Sequence, residues 1–113
     1  MNLESFQMES TYGSIRGTIP TELGQLRSLD TLRMGNMMLE GSIPAQLFSA
    51  SKNLMTLDLS SNQLNGSITS QIGYSESLKV LHLEHNSLTG ILPQEIESCV
   101  SLEYLFLHDN LFT

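Results

Sequence analysis

The chain has 113 residues, a formal net charge of -7 from five Lys and Arg against twelve Asp and Glu, 40% hydrophobic and 15% charged residues. That length fits one modest domain, its apolar content is too high for a disordered tail, and it has no unbroken apolar run long enough to span a membrane. Five cations scattered from Arg16 to Lys79 supply no basic face, so nucleic acid is excluded as the main ligand, and the single cysteine, Cys99, allows neither an internal disulfide nor a multi-cysteine metal site.

Twenty leucines stand beside seven isoleucines and two valines, so leucine spacing rather than β-branching must specify any strands. That spacing is periodic, because Gly17, Gly41, Gly66 and Gly90 follow one another at intervals of 24, 25 and 24 residues. The array divides into a partial copy over 1–20, full copies over 21–44, 45–69 and 70–93, and a last partial copy over 94–113. In chain order, the first copy offers Leu3, Phe6 and Met8, with two extra residues around Tyr12 to Ser14 before Ile15. The glycine segment GTIP follows at Gly17 to Pro20, and a short helical or 3₁₀ turn is predicted over 21–25. A strand carrying Leu29, Leu32 and Met34 comes next, then Leu39 and GSIP at Gly41 to Pro44, then a predicted turn over 45–50.

The third copy repeats this with Leu54, Leu57, Leu59 and Leu64, GSIT at Gly66 to Thr69, and a turn over 70–73. The fourth reads Leu78, Leu81, Leu83 and Leu88, GILP at Gly90 to Pro93, and a turn over 94–98; the fifth closes with Leu102, Leu105, Leu107 and Phe112. Asparagine stands three residues after the last strand leucine at Asn62, Asn86 and Asn110, while Met37 holds that place in the second copy.

In an x-L-x-L segment the leucines point one way and the x residues the other, and stacking is needed to bury the apolar face. Asparagine can satisfy backbone groups where the chain leaves the strand, glycine permits a tight bend, and the residue before proline is held extended. A solenoid with a parallel sheet on its inner face follows. Cys99 falls six residues after Pro93, as Leu26 does after Pro20, and reads as a small buried core residue.

The pattern resembles the plant-type leucine-rich repeat, LxxLxxLxLxxNxLtGxIPxxLgxL, which the stretch from Leu54 to Thr69 follows almost letter for letter apart from Thr69 in place of proline. The resemblance implies an α/β solenoid, a curved right-handed superhelix with a concave parallel β-sheet and an irregular or 3₁₀ convex side. It also implies a non-catalytic module that binds a protein or peptide, as in the ectodomains of receptor-like proteins and kinases. Such receptors carry cysteine-paired caps and a signal peptide; neither is in this chain, which therefore reads as a piece of a longer array. The alternative role is a structural spacer with no ligand of its own.

The concave x positions form columns with neighbours roughly 5 Å apart. They run Ser5, Thr31, Thr56, Val80, Tyr104; then Gln7, Arg33, Asp58, His82, Phe106; then Glu9, Gly35, Ser60, Glu84, His108; then Ser10, Asn36, Ser61, His85, Asp109. The first three copies are small and polar, whereas the last two hold all three histidines and an aromatic pair. Binding is accordingly assigned to Arg33, Asp58, His82, Glu84, His85, Tyr104, Phe106, His108 and Asp109, with the aromatics as anchors and the charged groups as rim.

His82, His85 and a His108 beside Glu84 raise the prospect of a zinc-like ion. His85 does not alternate cleanly with His82, however, and Glu84 with His108 or His85 with Asp109 suffice as cross-strand pairs, so no metal and no cofactor is assigned. No serine or cysteine is set in a motif with histidine and an acid, and no phosphate loop is present, so no catalysis is expected. Asn65-Gly66-Ser67 is an N-glycosylation sequon at an outer bend, which tilts the location toward the extracellular or cell-surface side. The first and last layers, lacking polar caps, are expected to allow end-to-end self-association.

Overall fold

The computed structural model describes residues 4–7 and 17–113. In chain order its strands are β1 (Ser5–Gln7), β2 (Gly17–Thr18), β3 (Thr31–Arg33), β4 (Leu39–Gly41), β5 (Thr56–Asp58), β6 (Gln63–Leu64), β7 (Val80–His82), β8 (Thr89–Gly90), β9 (Tyr104–Phe106) and β10 (Leu111–Phe112). The odd-numbered strands form one parallel sheet in the order β1-β3-β5-β7-β9. Each strand thus pairs with its counterpart one copy away, as a solenoid requires. The return side carries 3₁₀ turns at Thr21–Gln25, Ser70–Tyr74 and Gln94–Ser98 and one α-helical turn, α1, at Gln46–Ser49. These fall on the four predicted turns.

The register stacks like on like. Leu32 faces Leu57, Leu57 faces Leu81 and Leu81 faces Leu105. The columns through Leu29, Leu54 and Leu78, through Met34, Leu59 and Leu83, and through Leu39, Leu64 and Leu88 are all buried. Full burial of one such side chain contributes about 1.5–3 kcal/mol, and no copy could obtain it alone. The return side closes the core with Ile19, Ile43 and Ile68 and, in the copy one residue longer than its neighbours, with the wholly buried Phe48 of α1. Gly24 makes this packing close, since a Cβ there would stand 2.7 Å from the carbonyl oxygen of Gln46.

The turn out of each strand is held by asparagine in the expected way. Asn62 Nδ2 donates to the carbonyls of Leu59 in its own copy and Met34 in the preceding one, and its Oδ1 accepts from the N–H groups of Met37 and Leu39. Asn86 and Asn110 repeat the pattern. Each asparagine therefore serves the turn before its own, which explains why Met37 is tolerated: Asn62 satisfies its backbone, and its side chain joins the core at 1% exposure. The two-residue insertion around Tyr12 to Ser14, with Leu3, Met8 and Ile15, lies outside the described residues.

The structure adds a feature absent from the sequence reading. Where a plain bend is expected around each glycine, the chain forms a second set of parallel ladders, β2-β4-β6 and β8-β10, along the flank. Gly41, Gly66 and Gly90 sit at or beside these ladders with φ of 79°, 76° and 80°, a conformation that side chains other than glycine's rarely adopt. Two-residue strands are too short to carry the alternation by which a strand is legible in a sequence.

Candidate binding face

The sheet register places the concave columns as expected. Thr31, Thr56, Val80 and Tyr104 stand side by side, as do Arg33, Asp58, His82 and Phe106. The third and fourth columns continue beyond the strands, where the N–H groups of Asn36, Ser61 and His85 donate to the carbonyls of Ser60, Glu84 and His108. Asn36, Ser61, His85 and Asp109 share a left-handed backbone, with φ between 54° and 60°. Asparagine and aspartate tolerate this conformation better than most residues. The first-copy members Glu9 and Ser10 lie outside the described residues.

The two halves of this face differ. In the earlier copies the polar groups are tied down locally: Asp58 Oδ1 accepts from both the backbone N–H, at 3.0 Å, and the hydroxyl, at 2.7 Å, of Ser60. Arg33 is exposed beside Asp58. Gly35 keeps this corner low, since a Cβ there would come within 3.2 Å of Ser60 Oγ.

In the last two copies the rings of His82 and Phe106 stack face to face, 4.4 Å apart and 4° from parallel. Stacking leaves Phe106 half-buried, whereas Tyr104 projects with 57% of its surface exposed. Of the expected anchor pair, Tyr104 is thus the free one and Phe106 the braced one.

The charge pairing is only partly as anticipated. Glu84 was expected to reach across to His108; its Oε1 lies instead 2.9 Å from Nδ1 of His82, two residues back on the same face. Because Phe106 fixes the plane of His82, that ring presents Nδ1 to Glu84. Glu84 Oε2 is buried without a hydrogen-bond partner. His85 does pair with Asp109, Nδ1 to Oδ2 at 2.9 Å, and His108 lies edge-on to His85 with ring centroids 5.1 Å apart.

Other features lie away from this face. Asn65 is exposed just after β6, clear of the concave strands. Cys99 is buried and donates to the carbonyl of Ile72 at 3.2 Å; burial pushes its thiol up from the ordinary value of 9.0. A shallow lateral groove, unforeseen in the sequence, is lined by Glu4, Ser28, Asp30, Asn53, Met55 and Ser77. No helix among the described residues is long and apolar enough to cross a membrane.

The fold and its variable inner columns define a parallel-β solenoid that displays changeable side chains on a repeated frame. Leucine-rich-repeat models match residues 53–75 and 67–112, together spanning more than half of the 113 residues, and the chain belongs to the leucine-rich-repeat family. It is 40% identical over 58 residues to phytosulfokine receptor 1 of Arabidopsis thaliana, a match covering 51% of this chain and 6% of that protein. A chain in the BIR3–SERK2 complex from Arabidopsis thaliana superposes with a TM-score of 0.83 at 40% identity, covering 87% of this chain and 52% of that one. The structure of the Arabidopsis receptor kinase HAESA in complex with the peptide hormone IDA and the co-receptor SERK1 gives 0.84 at 35% identity, covering 88% and 16%. The chain thus spans about half of the first of these structures and far less of the two receptors.

Proposed function

We propose that the concave face of the last two copies binds a protein or peptide, and that this chain is a non-catalytic recognition module of the receptor-ectodomain kind, working outside the cell. The observation that carries this reading is the braced aromatic patch: Tyr104 exposed, Phe106 held against His82, and a rim of Glu84, His85, His108 and Asp109. A rigid aromatic centre with a polar rim is the usual composition of a binding hot spot. The similarity to HAESA, which that structure shows with a peptide hormone and a co-receptor, supports the same class of partner. Arg33 and Asp58 extend the contact along the sheet, and a glycan at Asn65 would lie clear of it.

Selection of peptides from a displayed random library on the 113-residue chain tests the reading. Tyr104→Ala with Phe106→Ala and His82→Ala should abolish capture of the selected peptides while the circular dichroism spectrum stays unchanged. Capture that survives these changes would sink the proposal and favour a structural spacer. Leu105 and Leu111, at 37% and 62% exposure, would be the contact in end-to-end self-association. A concentration-independent monomer in sedimentation velocity removes that part.

A further inference from the structure

We propose that His85, His108 and Asp109 form a binding site for a divalent transition-metal ion of the zinc class. Each offers one ligand atom, and the three atoms lie within 4.8 Å of one another. In a tetrahedral zinc site with bonds of about 2.0–2.2 Å, donor atoms stand about 3.3 Å apart. The His85–Asp109 pair, at 2.9 Å, lies just below this value, and no separation in the set exceeds 4.8 Å. All three side chains are exposed, so their rotation toward one ion meets no buried packing.

The backbone beneath them is fixed. His85 and Asp109 occupy left-handed turns at φ 60° and 55°, and the N–H groups of His85 and Asn86 donate to the carbonyls of His108 and Asp109 at 3.1 and 3.2 Å. The amide of Asn110 bonds the carbonyls of Leu83 and Leu107, locking the two turns together. Two adjacent copies therefore hold the ligands at a set spacing before any ion arrives. The matching positions two copies earlier, Asn36, Ser60 and Ser61, are none of them strong metal ligands.

The donor set selects the ion. Two imidazoles and one carboxylate suit zinc, copper or nickel, whereas calcium and magnesium require six or more oxygen donors. Three protein ligands leave a fourth position open on an exposed surface, as at sites that accept an exogenous ligand. Glu84 lies against His82 and not His108, so of the His82, His85, His108 and Glu84 grouping considered from sequence this set keeps His85 and His108 and takes Asp109 as its carboxylate.

The ion alone is the probe, so the test is independent of the peptide-binding reading. Calorimetric titration of zinc chloride into the 113-residue chain at neutral pH should show one ion per chain, with no comparable uptake of calcium or magnesium. His85→Asn, which keeps a residue suited to the left-handed turn as Asn36 does, His108→Ala and Asp109→Asn should each weaken binding by roughly tenfold or more. His82→Ala should leave it unchanged. Should a variant lose its circular dichroism signal, the histidine ring resonances of the unaltered chain decide: zinc-induced shifts at two histidines, with the third unmoved, support the site. Absence of zinc uptake, equal uptake of calcium, loss on His82→Ala, or unimpaired binding by the His85→Asn, His108→Ala double variant would overturn it.

Discussion

The two sides of each inner strand obey opposite rules. Toward the core, position by position, the copies repeat: leucine follows leucine from Leu32 through Leu57 and Leu81, and asparagine follows asparagine from Asn62 to Asn110. Toward the concave surface no column keeps one residue type, and Arg33, Asp58, His82 and Phe106 are neighbours. Core residues must fill the same space in every layer, while inner-face residues pair differently from copy to copy and need not share one shape. Conservation of shape on one side and freedom on the other are what allow a repeat frame to carry a recognition surface.

Substitutions can break the comparison at each level, and the largest effect belongs to the stacked core. Leu57→Ala, at a wholly buried position in a central copy, should cost about 2–5 kcal/mol, read from the urea unfolding midpoint. Asn86→Ala comes next. It leaves the N–H of Leu64 without its partner and takes one of two amide donors from the carbonyls of Leu59 and Leu83, which keep Asn62 and Asn110, and a loss of about 1–3 kcal/mol in the same assay is expected. Phe106→Ala, on the free side, should change stability by no more than about 1.5 kcal/mol, the value of an aromatic stack, while removing most of the peptide capture. Comparable losses of stability from Phe106→Ala and Leu57→Ala would collapse the distinction between the two sides.

The smallest effect concerns Cys99. Ser75, the corresponding residue one copy earlier, donates to the carbonyl of Phe48 just as Cys99 donates to that of Ile72. Cys99→Ser should therefore alter stability by about 1 kcal/mol or less near neutral pH. The folded thiol titrates above the unfolded one, so its contribution is full below the ordinary value of 9.0 and is lost as pH rises through the folded value. Unfolding midpoints measured between neutral and alkaline pH should accordingly fall less steeply for Cys99→Ser than for the unaltered chain.

Much of this was legible in the sequence because the signal was repeated. A single L-x-x-L-x-L is ambiguous, but four at fixed spacing identify the solenoid, its four return turns, its asparagine ladder and its inner columns. The two-residue flank ladders were not legible, being too short to carry a pattern. Which site residue meets which was only partly so. Glu84 could be placed beside both His82 and His108, and column neighbours alone do not choose between them.

The sequence by itself determined the frame: period, register and the list of side chains on the inner face follow from apolar spacing, since in-register stacking is what buries the strand leucines of the central copies together. The tertiary structure decided how the inner side chains pair. Phe106 stacks on His82 and turns it to Glu84, which leaves His108 to approach His85 and Asp109. Rotamers on an exposed face are set by contacts across copies some 24 residues apart, and no local pattern encodes those contacts.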